Sequence, residues 1–224
     1  MASYARGMSA PVTDRSRVRR HTERARYDRE TIASILRAGL VAHVGIVDGG
    51  PVVIPMAYGV DDDWLYLHGS PGSRLMRMLG RGAEVCVTVT LLDGLVLARS
   101  VAHHSMNYRS VALRGRAEGV VGDDAKLAAL ETTSEHLVPG QWGVARLPSE
   151  RELTGVAVVR VPLDEASAKV RTGPPIDEEE DHALPVWAGT LAVEPRYGPV
   201  EDAPDLPAGL APPAWITGYR RPGS

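Results

Sequence analysis

The residues Asn107-Tyr108-Arg109-Ser110 lead into Val111-Ala112-Leu113, a run with the character of a strand, and they are polar where a strand would otherwise bury apolar side chains. An amide, a phenol, a guanidinium and a hydroxyl at the head of a strand can all hydrogen-bond a ligand, so the expectation is a strand whose start faces a binding site. Metal chemistry fails on spacing. His103 and His104 are adjacent, so on a strand they point to opposite faces and cannot chelate one ion, and no Cys/His/Asp/Glu cluster with ligand spacing accompanies them. One of these histidines, with Ser105 and Asn107, is expected at the mouth of a substrate site. The sequence has no Gly-x-Ser-x-Gly elbow, no Walker loop and no Gly-x-Gly-x-x-Gly after a strand, so nothing suggests covalent catalysis or the common phosphate-loop folds.

The elements that must position these residues are mostly short strands. Asp28 reads as the cap of a helix from Arg29 to Ala38, with Ile32, Ile35 and Leu36 on one face and Gly39 as the stop, and this helix is expected to plug one end of a barrel. Leu40 to Val47, Val52 to Tyr58 and Trp64 to His68 read as a meander broken at Asp48-Gly49-Gly50 and Asp61-Asp62-Asp63. Ser73 opens a short helix to Leu79. Glu84 to Leu92 and Leu95 to Ser100 flank Asp93-Gly94, a pair that predicts a type I′ hairpin turn. Tyr108 to Val121 is long enough to curl round a barrel, with Gly115 and Gly119 as bends. A second helix follows over Asp123 to Val138, capped by Asp123 or Asp124 and packed through Leu127, Leu130 and Leu137, and Gly155 to Leu163 is the last expected strand.

Composition bounds the partners. With 224 residues and a net charge of −3, the chain can bury one core and carries no global basic field to recruit nucleic acid. Its single cysteine, Cys86, lies in the apolar run Val85-Cys86-Val87-Thr88-Val89, which rules out an internal disulfide and fits a core thiol in a reducing cytoplasm. No apolar run approaches the ~20 residues that span a bilayer, so no membrane partner is expected. Residues 1–26 form a polar arm with six arginines from Arg15 to Arg26, which reads as a solvated arm, an arm across a subunit partner or an anion contact. Residues 27–190 are expected to form one domain and residues 191–224 a Pro-rich tail, extended or mobile from residue 198, with residues 200–224 dispensable for folding.

Pro55-Met56-Ala57-Tyr58, Leu65-Tyr66-Leu67-His68-Gly69-Ser70, Ser73-Arg74-Leu75-Met76-Arg77-Met78-Leu79 and the strand from Asn107 to Gly115 together resemble the FMN-binding split β-barrel family, the pyridoxamine 5′-phosphate oxidase-like flavoproteins. The likeness runs from Tyr27 to Trp187 and is nearest the nitroimidazole-resistance-type branch. It implies a mainly β fold with a few helices, a six-stranded split barrel, and a homodimer with FMN at the interface. On that likeness Pro55, Met56, Ala57 and Tyr58 lie along the flavin ring, where backbone groups suffice for its polar edge. His68, Gly69, Ser70, Ser73 and Arg74 fall at the phosphate grip, where a phosphate wants a cation, hydroxyl donors and a helix start. Oxidase members carry a basic pair there; here the second member is Leu75, which leaves room for FAD, or for Arg77 or Arg109 to help. Arg109 and Ser110 match a later polar cofactor contact, and Trp187 lies where many members bring an aromatic ring to the flavin, although it equally reads as a packing tryptophan.

The resemblance therefore implies an FMN-binding oxidoreductase moving reducing equivalents between a nicotinamide-type donor and a small-molecule acceptor. It does not imply a true pyridoxamine phosphate oxidase, whose C-terminal substrate signature has no counterpart around Trp187 to Tyr197. Two other readings stay open: a flavin- or haem-binding module without turnover, haem being the remoter ligand, and a cofactor-free structural dimer.

Overall fold

The computed structural model describes residues 12–221 and 223. In chain order these form β1 (Ala25–Arg26), α1 (Arg29–Ala38), β2 (Val41–Val47), β3 (Pro51–Ala57), β4 (Gly59–Val60), β5 (Trp64–Gly69), α2 (Arg74–Gly80) and β6 (Glu84–Leu97). There follow β7 (Ser105–Arg116), β8 (Glu118–Gly119), α3 (Asp123–Leu137), α4 (Glu150–Thr154), β9 (Ala157–Pro162), β10 (Glu165–Arg171), β11 (Gly189–Ala192) and α5 (Ala214–Thr217). The fold is mainly β, as expected, and its strand pairings are antiparallel among the described residues.

The strands divide into two sheets, the split of a split barrel. One has the order β1-β10-β7-β6-β2-β3 with β11 also on β6, and the other the order β4-β5-β9-β8. The chain crosses between them at Tyr58 and at Ala117, which are 0% and 1% exposed. Between the sheets lies one core, in which Val44, Leu65, Leu67, Leu79, Val87, Val89, Val111, Leu113 and Val161 pack together. Alternation explains this core: along β2 and β6 every second residue is buried and its neighbours are not. The helix α1 forms as its pattern dictates, with Asp28 accepting from Thr31 N at 2.8 Å and Ile32, Ile35 and Leu36 buried against the barrel strands.

Several expectations need correction. Asp93-Gly94 is not a hairpin turn. The chain runs straight through it in β6, and the register against β7 slips between Leu92 and Gly94, so Asp93 is the extra residue of a bulge. Gly94 is needed because β11 lies close by, and a Cβ there would stand 2.9 Å from Leu191 O. The strand β10 was not expected, since Glu165, Ser167 and Lys169 alternate with small alanines and carry little β signal. The cap of α3 is Gly122 at φ 92 without a side-chain bond, not an aspartate, and the buried residues of α3 are Ala129 and Thr133, not its leucines.

The termini depart from expectation most. Residues 1–11 of the arginine-rich arm lie outside the described residues, and the rest of the arm is tied to the sheet: Thr13 donates to Glu165 at 2.7 Å and Arg15 to Glu84 at 2.9 Å. The C-terminal tail is largely extended but anchored at its end. Arg221 is 5% exposed, and its guanidinium donates to the carbonyls of Arg37, Ala38, Gly39 and His136 at 2.6 to 2.8 Å. Tyr219 packs edge-on to Tyr197 with centroids 4.9 Å apart. Through Arg221 the end of the tail packs on the ends of α1 and α3.

Candidate functional site

The corner between β5 and α2 collects five of the expected residues on one continuous stretch. Ser73 caps α2, its Oγ accepting from Met76 N at 3.5 Å, while Ser73 N donates to Ser70 O at 2.9 Å and Ser70 Oγ accepts from Gly72 N at 3.3 Å. These bonds fold the loop tightly over the helix, and a Cβ at Gly69 would meet Met76 Cγ at 3.1 Å. Leu75 points into the core at 6% exposure. The position of the second base is thus filled by a core residue, and Arg74 is left as the cation at the start of α2.

Arg74 does not stand alone. Both its Nε and its Nη2 bond the carboxylate of Asp48, which comes from the turn between β2 and β3. That turn is shaped by Asp48 N donating to Gly50 O at 2.8 Å and by Gly49 at φ 71, a conformation that favours glycine. The arginine side chain is 74% exposed and the aspartate 18%. Asp48 was read only as part of a turn, and no local signal pairs it with Arg74, because the contact depends on packing β2–β3 against α2.

His68 is the unusual group of the corner. Its Nδ1 is buried without a hydrogen-bond partner, and burial pushes its pKa down, so the ring is neutral at physiological pH. A neutral imidazole nitrogen has the chemistry to ligate iron, and here it is packed in by protein atoms with no hydrogen-bond partner. Among the described residues no group of three or more His, Cys, Asp or Glu comes together to hold a bare metal ion. His103 and His104 diverge, the first 3.7 Å from Glu178 and the second 3.2 Å from Ala98 O.

The remaining expected residues lie on other elements. Pro55, Met56 and Ala57 form the end of the edge strand β3, with Met56 turned to the core and Pro55 and Ala57 exposed. The Tyr58 side chain points inward, donating to Leu36 O at 2.5 Å with its ring 4.6 Å from that of His136. At 0% exposure Tyr58 presents neither side chain nor backbone at the surface, contrary to the expectation that it lies along the flavin ring. Arg109 and Ser110, adjacent on β7, face opposite sides of the sheet. Arg109 grips both oxygens of Asp93, at 3.0 Å from Nε and 2.7 Å from Nη2, and donates from Nη1 to Gly223 O at 2.8 Å. Ser110 Oγ reaches Lys169 O at 3.4 Å. Trp187 is 68% exposed, its ring laid over Gly189, where a Cβ would come within 2.7 Å.

The outer face of the larger sheet is built of small, mostly uncharged residues. Pro55, His43, Thr88, Ala112 and Ser167 form one row across it, and Val53, Gly45, Cys86 and Arg114 the next. Val41 and Val53 on this face are 49% and 64% exposed. A groove at its end is lined by Gly45, Val53, Cys86 and Arg114, with Arg15 and Glu84 at its rim. Among the described residues no helix is long and apolar enough to cross a membrane.

Comparison with known proteins agrees with this architecture. The flavocytochrome Anf3 from Azotobacter vinelandii is 40% identical, with 94% of this chain and 99% of that one covered and a TM-score of 0.88. The FAD and haem binding protein from Mycobacterium smegmatis is 35% identical over 87% of this chain and 96% of that one, with a TM-score of 0.83. A 5-nitroimidazole antibiotic resistance protein from Bacteroides thetaiotaomicron, so described as a putative one, is 29% identical over 76% and 90% of the two chains, at a TM-score of 0.56. No curated protein matches in sequence. A family model described as pyridoxamine 5′-phosphate oxidase matches residues 28–170, more than half of the chain. With two antiparallel sheets round one core and that match, the chain belongs to the pyridoxamine 5′-phosphate oxidase-like family.

Proposed function

We propose that this protein is a homodimeric flavin- and haem-binding redox protein, with FAD as its flavin. The observation that carries the reading is the 40% identity over nearly the whole of both chains to a protein described as a flavocytochrome. The name of the Mycobacterium smegmatis relative supports FAD over the FMN that the resemblance implied first, as does the core position of Leu75, which leaves the corner without a second base.

When bound, the flavin supplies hydride and single-electron transfer and the haem single-electron chemistry, and the protein's part is to bind, orient and shield. Arg74, with the hydroxyls of Ser70 and Ser73, holds the phosphate; the backbone from Pro55 to Ala57 offers donors and acceptors to the ring edge. Arg109, Ser110 and Trp187 supply further contacts, and because Arg109 and Ser110 face opposite sides of β7, they serve different parts of the site or different subunits. His68 would offer its unpaired imidazole nitrogen to haem iron, and the flavin so held would exchange reducing equivalents with a nicotinamide-type donor and a small acceptor. The outer sheet face, with Val41 and Val53 exposed, is the surface a second copy covers.

The test is spectroscopic. Protein expressed with a haem precursor is expected to purify with flavin absorbance and a Soret band, to release FAD on denaturation, and to sediment as a dimer. His68→Ala should lose the Soret band and keep the flavin. A colourless protein that resists reconstitution with either group would overturn the reading, and bound cofactors that no nicotinamide donor reduces would favour a storage or sensing module.

A further inference from the structure

We infer that Asp48 selects which flavin nucleotide the Arg74 corner accepts, by cancelling the arginine's charge so that a phosphodiester is tolerated and a dianionic phosphomonoester is disfavoured. The inference rests on the flavin reading above and concerns the same site. Its basis is the side-on pair in which both carboxylate oxygens of Asp48 bond Nε and Nη2 of Arg74. That arrangement leaves Nη1 as the edge of the guanidinium that can turn to a ligand.

The acid is the fixed member of the pair. Its side chain is 18% exposed against 74% for the arginine, and its backbone is set by the bond from Asp48 N to Gly50 O at 2.8 Å. A phosphate bound to Arg74 therefore also meets the Asp48 carboxylate at short range. The corner's local charge is one cation and one anion, and Leu75, buried at 6% exposure, adds nothing. A phosphomonoester such as that of FMN carries about −1.5 to −2 charges at pH 7, whereas each phosphorus of a dinucleotide pyrophosphate carries one. The repulsion from Asp48 scales with that charge, so it falls more heavily on the monoester.

Asp48 also positions Arg74, and losing that role would weaken both nucleotides together. The ratio of the two affinities separates the effects. In full-length apoprotein, Asp48→Asn keeps the side-chain shape and removes the charge, so the preference for FAD over FMN should shift toward FMN by about tenfold, or about 1.4 kcal/mol. Riboflavin, which has no phosphate, should bind as to the wild type, and this also reports that the variant is folded; Asp48→Ser is the second variant should the first not fold. Arg74→Ala should weaken both nucleotides, FMN more than FAD, because the attraction it removes scales with the same phosphate charge. An unchanged FAD-to-FMN ratio in Asp48→Asn overturns the inference while the flavin reading stands. Arg74→Ala with unaltered FAD and FMN affinity overturns both the inference and the placement of the phosphate.

Discussion

Arg74 and Arg221 each make several polar contacts, yet the Arg74 side chain is 74% exposed and held by one carboxylate, whereas Arg221 is 5% exposed and held by four backbone carbonyls. Three of those carbonyls, on Arg37, Ala38 and Gly39, belong to the end of α1, where no intrahelical N–H reaches them and a cation is favoured by the helix dipole. The fourth is on His136 in the last turn of α3. Breaking these bonds strands acceptors inside the protein. Parting Arg74 from Asp48 strands no backbone acceptor, and water or a phosphate can take the carboxylate's place on the exposed arginine; pairs with an exposed member contribute about 0 to 1 kcal/mol. The two arginines show how the molecule separates a lock from an exchangeable contact: burial decides, and the number of hydrogen bonds does not.

The largest effect that could break this comparison is at the lock. Arg221→Ala is expected to cost about 3 kcal/mol, since hydrogen bonds to a charged group are worth about 1.5 to 3 kcal/mol each and do not add when the tail lifts as a unit. Thermal unfolding should report it, with faster proteolysis between residues 193 and 213, and an unchanged Tm would show that the tail is bound elsewhere. Lysine at 221 should recover only part of the loss, having the charge without the planar fork.

Next in size is the exchangeable contact. Arg74→Ala should weaken FMN and FAD binding about tenfold to a hundredfold, or about 1.4 to 2.7 kcal/mol, and leave the Tm of the apoprotein within experimental scatter. Arg77→Ala, one turn on and exposed, is the control. Titration of apoprotein with each nucleotide decides it, and a larger effect at Arg77 would mean that the phosphate sits one turn along.

A smaller effect sharpens the lock. Tyr58→Phe removes the bond to Leu36 O from a fully buried ring, and about 1 kcal/mol of stability should go with it in a denaturant titration.

The last effect is a pH dependence, seen only in acid. His136 lies 3.0 Å from both Gly39 O and Arg221 Nη2, and burial first, then the Arg221 charge, push its pKa from 6.5 down to about 4. A depressed pKa means that the unfolded chain binds the proton more readily. Its stabilising contribution is therefore whole above pH 6.5 and is lost as the pH falls from there toward 4. His136→Gln should flatten the Tm profile across that window, and an unaltered slope would remove His136 from the lock.

Much of this was legible in the chain. The helix α1 could be read because its cap, stop and apolar face are local, and β2, β3, β5 and β9 because alternation and turn residues are local too. Ser73 as the cap of α2 was read for the same reason, and with it the stretch from His68 to Arg74 that forms the candidate corner. Asp93-Gly94 misled because the same dipeptide serves a tight turn or a bulge, and only the presence of β7 and β11 on either side of β6 selects the bulge. Asp48, Asp93 and Arg221 were missed as partners for one reason. Their contacts join residues 26, 16 and more than 180 positions apart, and charge at that separation carries no sequence signal.

The sequence by itself determined the mainly β class, the family likeness and the types of group at the corner between β5 and α2, because backbone propensity, alternation and helix capping act over a few residues. Tertiary structure decided which charges are free to meet a ligand. It gave Arg74 a fixed carboxylate, tied Arg109 to Asp93, turned Arg109 and Ser110 to opposite faces, left His68 Nδ1 without a partner, and drew the Pro-rich tail back onto α1 through Arg221. Each of these depends on desolvation and on contact between distant strands, and both exist only once the two sheets have closed on their common core.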